Sequence, residues 1–311
     1  MRRKQPRTHA LLAVLLGVLF CSGIFLFWQI TRPGEYRQTI VIVGNPVHIF
    51  SFTAAKNQVS VLDIPEDVTV PAIQGYGRYS VGSLFTLDHI NHRSGVLFTD
   101  RLSDALGVPI SGYAQIGRSA DGAGSVELVR HIFSWSSIPG MLTGRIKSSV
   151  PFGTWVSLVI AAQTLSGDAV TVVHASGAFV PATQADGSVV RALDPSRFDY
   201  FAGTAFLDNG IRSEGVSVAV YNTTQVASVG QHAARVMSKV GMPLVFVGNE
   251  TPERARCIVS GTKEALDSKT AAFIRDYFRC AVTVSPTTEN NAAANLVVLL
   301  GKMYASRFVS P

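Results

Sequence analysis

The sequence predicts an α/β protein with two mixed α/β sandwich-type domains behind one N-terminal transmembrane helix. Short β-branched runs, typical of strands, alternate with segments of helical periodicity across residues 39–174 and again across residues 216–300. Residues 10–30 form an apolar run of 21 residues without charge, which is long enough to cross a bilayer as a helix. These observations predict a cytoplasmic tail (1–9), an anchor (10–30), a first α/β domain (31–183), a linker (184–215) and a second α/β domain (216–311).

The charges beside the apolar run predict its orientation. Arg2, Arg3, Lys4 and Arg7 precede it, and positive charge marks the cytoplasmic side, so the bulk of the chain is expected outside the cell membrane. A cleaved signal peptide is the alternative, but the run ends in FLFWQI, without a small-residue cleavage site. Phe20 is a poor residue before a lipoprotein cysteine at Cys21. An uncleaved single-pass anchor is therefore favoured.

The charge balance argues against a nucleic-acid partner. The formal charge is +6, and the first nine residues hold four Lys or Arg and no acid, which leaves 6 − 4 = +2 for the rest. The high isoelectric point thus belongs mainly to the tail and is not the footprint of a basic binding face. About 280 residues remain beyond the anchor, enough for two ordinary domains.

The region 216–248 predicts a parallel βαβ unit. Residues 216–221 and 244–247 have strand composition, and an amphipathic helix lies between them. Its apolar positions are Val226, Val229, Ala233, Val236 and Val240, and its polar positions are His232, Arg235 and Lys239. Gly241 ends the helix and Pro243 follows it. In the remainder of this region, residues 256–259, 282–284 and 296–300 predict strands, and residues 271–278 line a helix.

The region 39–174 has the mixed pattern of an α/β domain. The predicted strands are 39–43, 48–53, 59–64, 110–116 and 169–174, with a hairpin turn at 55–58, and the predicted helices are 81–89, 96–106 and 126–133. Thr154 is a candidate N-cap for a further helix. His89 and His92 form an HxxH pair, which is either a metal site or solvated surface, the second being the more common case. There is no G-x-S-x-G, Walker or HExxH motif.

Both regions resemble modules of bacterial cell-envelope proteins. The order of residues 59–67 (VSVLDIPED), 75–79 (GYGRY) and 106–110 (LGVPI), with Tyr113, resembles the LytR–CpsA–Psr family over residues 39–175. The segment VAVYNT at 218–223, the Ala-containing helix and Gly241 are similar to the LytR C-terminal domain, although both glycines of that domain's turn are absent here. Members of the LytR–CpsA–Psr family transfer a glycopolymer from a polyprenyl-pyrophosphate lipid to peptidoglycan, with arginines holding the pyrophosphate and carboxylates holding a divalent metal.

The resemblance also indicates a degenerate catalytic site. The family has an arginine in an Ile-Pro-Arg-Asp pattern where this chain has Glu66, which replaces attraction by repulsion toward a pyrophosphate. Asp67 and Arg78 remain as weak catalytic candidates, too few to build the family's site. The favoured function is non-catalytic binding or organising of cell-wall glycan or envelope partners, with no cofactor. The alternative is a divergent phosphotransferase, which would use Mg²⁺.

The cysteines outside the anchor suggest a disulfide. Cys257 lies on a predicted strand and Cys280 just after a predicted helix, and a strand and the end of a helix packed on it can come within disulfide distance. Oxidation is permitted outside the cytoplasm. Two buried free thiols are the alternative.

Overall fold

The computed structural model describes residues 36–53, 58–71, 77–90, 95–116, 125–184, 186–285 and 293–308. Within these ranges, no helix has the length and apolar character needed to cross a membrane. The expected anchor, residues 10–30, lies outside them, as do the expected hairpin residues 55–57 and His92.

The described residues alternate between strands and helices throughout, which confirms the α/β class. The strands are β1 (Gln38–Val43), β2 (Val47–Thr53), β3 (Gln58–Ile64), β4 (Thr69–Pro71), β5 (Arg78–Ser80), β6 (Gly112–Gln115), β7 (Lys147–Ser148), β8 (Val170–Val173), β9 (Phe179–Thr183), β10 (Val189–Leu193), β11 (Val218–Asn222), β12 (Leu244–Asn249), β13 (Ile258–Gly261), β14 (Ala281–Val284) and β15 (Leu296–Leu300). The helices are α1 (Val81–Ile90), α2 (Val96–Leu106), α3 (Ser125–Ile132), α4 (Ser137–Leu142), α5 (Phe152–Thr164), α6 (Pro195–Ala202), α7 (Asn209–Glu214), α8 (Val229–Val240), α9 (Lys263–Leu266), α10 (Lys269–Tyr277) and α11 (Lys302–Ala305).

A six-stranded mixed sheet organises the first region, in the order β7-β6-β1-β2-β3-β8. Strands β1 and β6 are parallel, as are β3 and β8, whereas β2 runs antiparallel to both of its neighbours. Every residue of β2 is buried, because the sheet is covered on both faces. Successive side chains of a strand point to opposite faces, so Val41 and Ile40 enter two different cores.

An aromatic cluster packs one face of this sheet against α3 and α5. The Phe133 ring lies 5.4 Å from the Phe50 ring and 5.1 Å from the Trp155 ring, between centroids. The indole N–H of Trp155 donates to Ser137 Oγ at 2.9 Å, which satisfies its one polar group. The prediction that Thr154 is an N-cap is wrong. Helix α5 begins at Phe152, directly after Pro151, and Thr154 lies inside its first turn. Pro151 takes the N-cap position, where its missing N–H removes no hydrogen bond of the helix.

A small four-stranded sheet, β5-β4-β10-β9, lies beside the first and draws on residues expected to be linker. The interval 184–215 contains β10, α6 and α7, and its Phe198 and Phe206 are buried in the core below the large sheet. The buried Arg37 ties this interval to β2, since its Nη1 donates to Leu207 O at 3.1 Å and its Nη2 to Ser51 O at 3.0 Å. Burial lowers the pKa of Arg37 to about 10, and the charge of Asp208 opposes that shift.

A five-stranded sheet, β12-β11-β15-β13-β14, forms the C-terminal region. Strand β11 is parallel to β12, which confirms the predicted βαβ pairing around α8. The apolar positions Val229, Ala233 and Val236 are buried, and Gly241 ends α8 with a left-handed φ of 101°. Val226, by contrast, precedes the helix, and β13 begins at Ile258 rather than at Arg256.

Polar contacts join α8 of the C-terminal region to α6 and α2. Arg235 pairs with Asp199 at 2.9 Å, Lys239 pairs with the same carboxylate at 2.6 Å, and His232 contacts the carboxylate of Asp104. The polar face predicted for this helix is therefore an internal contact surface.

Cys257 and Cys280 form a disulfide in the structure, with Cα atoms 4.3 Å apart. Cys257 immediately precedes β13, and Cys280 immediately precedes β14, its parallel neighbour. The bond thus joins two adjacent strand starts, rather than a strand and the helix packed on it.

Candidate functional site

An open pocket of about 380 Å³ lies where several strands of the large sheet end. Strands β1, β3 and β6 point the same way, so their carboxyl ends share one edge of the sheet. This edge is where ligands of open α/β sheets usually bind. The lining includes Val43 and Gly44 at the end of β1, Glu66 after β3, Gln115 and Ile116 at the end of β6, and Arg145 and Lys147.

The pocket carries an excess of positive charge. Arg145 and Lys147 are exposed to solvent, and Lys147 lies on β7 opposite Gln115 of β6. The opposing charge in the lining is Glu66, whose Oε1 accepts a hydrogen bond from Asn45 Nδ2 at 3.0 Å. Two cations facing one carboxylate suit an anionic ligand such as phosphate.

The predicted candidate Asp67 does not line this pocket. Its carboxylate is engaged by Arg191 of β10, whose Nε donates to Oδ2 at 2.8 Å, and both side chains are about half exposed. The two residues are 124 positions apart in the sequence. Asp67 therefore holds β10 beside the loop that follows β3. Both of its carboxylate oxygens accept hydrogen bonds from Arg191, and these are the oxygens that would bind a metal.

The second candidate, Arg78, also lies outside the pocket lining. Its Nη2 donates to Thr69 O at 3.0 Å, and its Nε donates to Thr69 Oγ1 at 3.3 Å. Burial lowers the pKa of this guanidinium. Arg78 thus links β5 to β4 within the small sheet. It does not line the strand-end pocket that contains Glu66.

The pocket lining by itself does not form a Mg²⁺ site. Mg²⁺ in phosphate chemistry is bound by one or two carboxylates together with ligand phosphates, and the lining supplies one carboxylate, which accepts a hydrogen bond from Asn45 and shares the pocket with two cations. Throughout the described ranges, no group of three or more His, Cys, Asp or Glu side chains could hold a metal ion. The predicted HxxH metal pair stays a prediction, because His92 and the side chain of His89 lie outside those ranges.

Sequence reasoning missed Arg145 and Lys147 as site residues. They lie between α4 and α5, where β7 is only two residues long and has no detectable periodicity. The available signal was the Arg-x-Lys spacing, because side chains two apart in extended chain point to the same side. Sequence alone does not show that this segment returns to the edge of β6.

No protein-family model and no curated protein sequence matches the chain significantly. Similar solved structures are LytR–CPS2A–Psr family proteins. TagV of B. subtilis is 9% identical with a TM-score of 0.41, over 56% of this chain and 97% of that one. YwtF (TagT) with bound octaprenyl pyrophosphate lipid is 11% identical with a TM-score of 0.37, over 54% and 88%. TagT bound to LIIa-WTA is 11% identical with a TM-score of 0.40, over 54% and 89%. Similarity at this level assigns no function to the chain.

Proposed function

We propose that this chain is a membrane-anchored, extracytoplasmic envelope protein that binds an anionic cell-wall glycopolymer without catalysing its transfer. The observation that carries the proposal is the strand-end pocket, where Arg145 and Lys147 outnumber the carboxylate of Glu66. Guanidinium and ammonium groups bind phosphate and carboxylate groups strongly, and an open pocket admits a segment of a long polymer.

The engagement of the candidate catalytic residues supports the non-catalytic role. Phosphoryl transfer depends on converging cations, a metal held by carboxylates and a positioned nucleophile. Here Asp67 is paired with Arg191, and Arg78 is bonded to Thr69, so neither candidate is available in the pocket. The residues present are better suited to binding an anionic polymer than to catalysing transfer of its phosphate.

The location and domain plan belong to the same proposal. The basic tail 1–9 and the uncharged run 10–30 support a single-pass anchor with an extracytoplasmic bulk. Peptidoglycan or an attached glycopolymer is the proposed partner, and nucleic acid is not proposed, because the charge outside the tail is nearly balanced. The proposed domains are 31–183 and 216–311, and the interval 184–215, which joins them in the chain, packs against the first.

A divergent phosphotransferase is the second candidate. Arg145 and Lys147 at the carboxyl ends of parallel strands favour it, because two cations there can hold a pyrophosphate. It requires Mg²⁺ bound largely by the substrate's own phosphates, since the lining offers one carboxylate.

Binding of a phosphate-rich polymer tests the proposal. Poly(glycerol phosphate) and neutral dextran would be titrated by calorimetry into the full chain in detergent. We expect binding of the anionic polymer only, and a loss of about tenfold or more in the Arg145→Gln, Lys147→Gln double variant, since hydrogen bonds to charged groups contribute about 1.5–3 kcal/mol each. Arg197→Gln is the matched control, because Arg197 is exposed and lies on α6 away from the pocket lining. Unchanged affinity in the double variant contradicts the proposal.

An activity assay separates the two candidates. Polyprenyl-pyrophosphate-linked glycan, Mg²⁺ and a peptidoglycan acceptor would be incubated with the chain. We expect no transfer, and turnover that disappears in the double variant establishes the phosphotransferase instead.

A further inference from the structure

A cleft of about 590 Å³ lies between the first region and the C-terminal region, apart from the strand-end pocket. Its volume falls in the range of small-molecule sites, about 300–1,000 Å³. One wall comes from the first region: β1, the start of α2, the start of β6 and the start of α5. The other wall comes from α10, α11 and the residues that follow each of them. None of its lining residues is shared with the strand-end pocket.

Arg307 lines this cleft, its guanidinium is held in place by aromatic rings, and several of its N–H donors have no close acceptor among the described residues. Its Cζ lies 5.2 Å from the ring centroid of Tyr304 and 5.8 Å from that of Tyr277, so two aromatic faces hold it. Its polar contacts in the described part of the chain are long: 3.5 Å to Asp100 Oδ1 and 3.5 Å to Tyr277 O. A charge-assisted hydrogen bond is shorter, about 2.7–2.9 Å, and a guanidinium carries five N–H donors.

Arg279 supplies a second cation to the same wall. It is exposed, it lines the cleft, and in the described ranges it has no hydrogen bond or ion pair. Burial raises the pKa of Asp100, while the charges of Arg307, Arg101 and Arg279 oppose that shift. The second carboxylate of the lining, Asp276, is already bonded to Arg275 at 2.7 Å and to the hydroxyl of Tyr36 at 3.2 Å.

The opposite wall offers neutral hydrogen-bonding groups. Gln38, Ser111, Ser149 and Thr154 line it, and all four are at least partly exposed. Hydroxyl and amide groups both donate and accept, which suits the hydroxyl and acetamido groups of a sugar. The two arginines therefore lie on one side of the cleft, and uncharged polar groups lie on the other together with Asp100, whose Oδ1 is 3.5 Å from Arg307.

We propose that this interdomain cleft is a second ligand site, which binds a saccharide bearing a phosphate or carboxylate group, with Arg279 and Arg307 holding the anion. The assignment of a saccharide rests on the proposed function. The assignment of an anion rests on the arginines of the cleft alone. A ligand held here contacts both regions at once and binds only when they are in their observed arrangement.

Calorimetry on the detergent-solubilised full chain tests this site with N-acetylglucosamine 1-phosphate, inorganic phosphate and N-acetylglucosamine as probes. We expect the sugar phosphate to bind more tightly than either of the others. Arg279→Gln should weaken its binding about tenfold, and Arg307→Gln should weaken it at least as much. Arg279 is the decisive position, because it is exposed and its replacement leaves the packing around Tyr277 and Tyr304 intact. Lys302→Gln is the control, since Lys302 is exposed, pairs with Glu253 and does not line the cleft.

The outcomes separate this proposal from the proposed function. Wild-type affinity in Arg279→Gln, or binding that is lost only in the Arg145→Gln, Lys147→Gln variant, overturns the cleft site and leaves the strand-end pocket in place. Equal affinity for inorganic phosphate overturns the saccharide assignment, and equal affinity for the neutral sugar overturns the anion assignment. Loss in Arg279→Gln with full polymer binding retained supports the cleft site independently.

Discussion

At the residue scale, Arg235 shows how one side chain joins the two regions. Its Nε donates to Asp199 Oδ2 at 2.9 Å, and its Nη1 donates to the carbonyls of Asp104 and Ala105 at 2.9 and 3.2 Å. Those carbonyls belong to the last turn of α2, whose unpaired acceptors favour a nearby cation. Gly107 leaves the necessary space, because a Cβ there would lie 2.9 Å from Arg235 Nε.

Arg235→Gln should therefore lower the free energy of unfolding by about 1–3 kcal/mol, the usual cost of leaving partly buried polar groups unsatisfied. Urea denaturation of the full chain in detergent measures this. Arg197→Gln is the control, since Arg197 sits 3.7 Å from Asp194 on an exposed surface and should change stability by less than about 0.5 kcal/mol. Equal losses in the two variants would contradict the role assigned to Arg235.

The same contact predicts a pH dependence through Asp199. Burial raises the pKa of this carboxyl, but hydrogen bonds from Arg235 and Lys239 outweigh burial, and the net pKa is lowered. A lowered folded-state pKa contributes stability above the ordinary value of about 3.9, and this contribution disappears as the pH falls through the folded value. The stability difference between wild type and Asp199→Asn should be full at pH 7, begin to fall below about pH 4, and vanish only once the pH is below the lowered folded-state pKa. Thermal melts at several pH values measure it, and a pH-independent difference would rule the mechanism out.

At the element scale, strand pairing and helix faces decide where each segment goes. Helix α8 places Ala233 and Val236 in the C-terminal core and turns Arg235 toward the first region, because residues three or four apart share a face. The strand starts of β13 and β14 are adjacent and parallel, which is why Cys257 and Cys280 meet.

The disulfide should stabilise the C-terminal region measurably. The cysteines are 23 positions apart, and closing a loop of that size contributes about 3 kcal/mol in the chain-entropy model. We expect Cys257→Ser, Cys280→Ser to unfold at lower urea than wild type, and reducing agent to destabilise wild type but not this variant. Non-reducing mass spectrometry should show a linked 257–280 peptide, whereas two alkylatable thiols after aerobic purification would refute the bond.

At the scale of the whole molecule, two sets of apolar cores meet through polar contacts. The large sheet is packed on both faces, and the C-terminal sheet has its own core around Val220, Val259 and Val298. Between them lie the Arg235–Asp199 pair, the hydrogen bond between the hydroxyls of Ser103 and Tyr277, and the cleft. Polar contacts of this kind fix an orientation with less apolar burial than a core requires.

The proposed anchor predicts the topology of the whole chain. With the basic tail in the cytoplasm and residues 10–30 in the bilayer, protease added to intact bacterial spheroplasts that express the chain should digest residues beyond 31. A C-terminal epitope tag followed by immunoblotting measures the loss, with a cytoplasmic protein as the control for lysis. A protected C-terminal region would contradict the extracytoplasmic location.

The sequence by itself determined the features that depend on neighbouring residues. Helix α2 has the predicted bounds, 96–106, because its apolar periodicity and the glycine after it are local signals, and β15 matches its prediction for the same reason. Tertiary structure alone decided which distant groups meet. It paired Asp67 with Arg191, buried Phe198 and Phe206 of the expected linker in the first core, and brought Arg145 and Lys147 to the ends of β1 and β6. Such contacts join segments far apart in the chain, and they follow from sheet order and the burial of apolar surface, which no short stretch of sequence encodes.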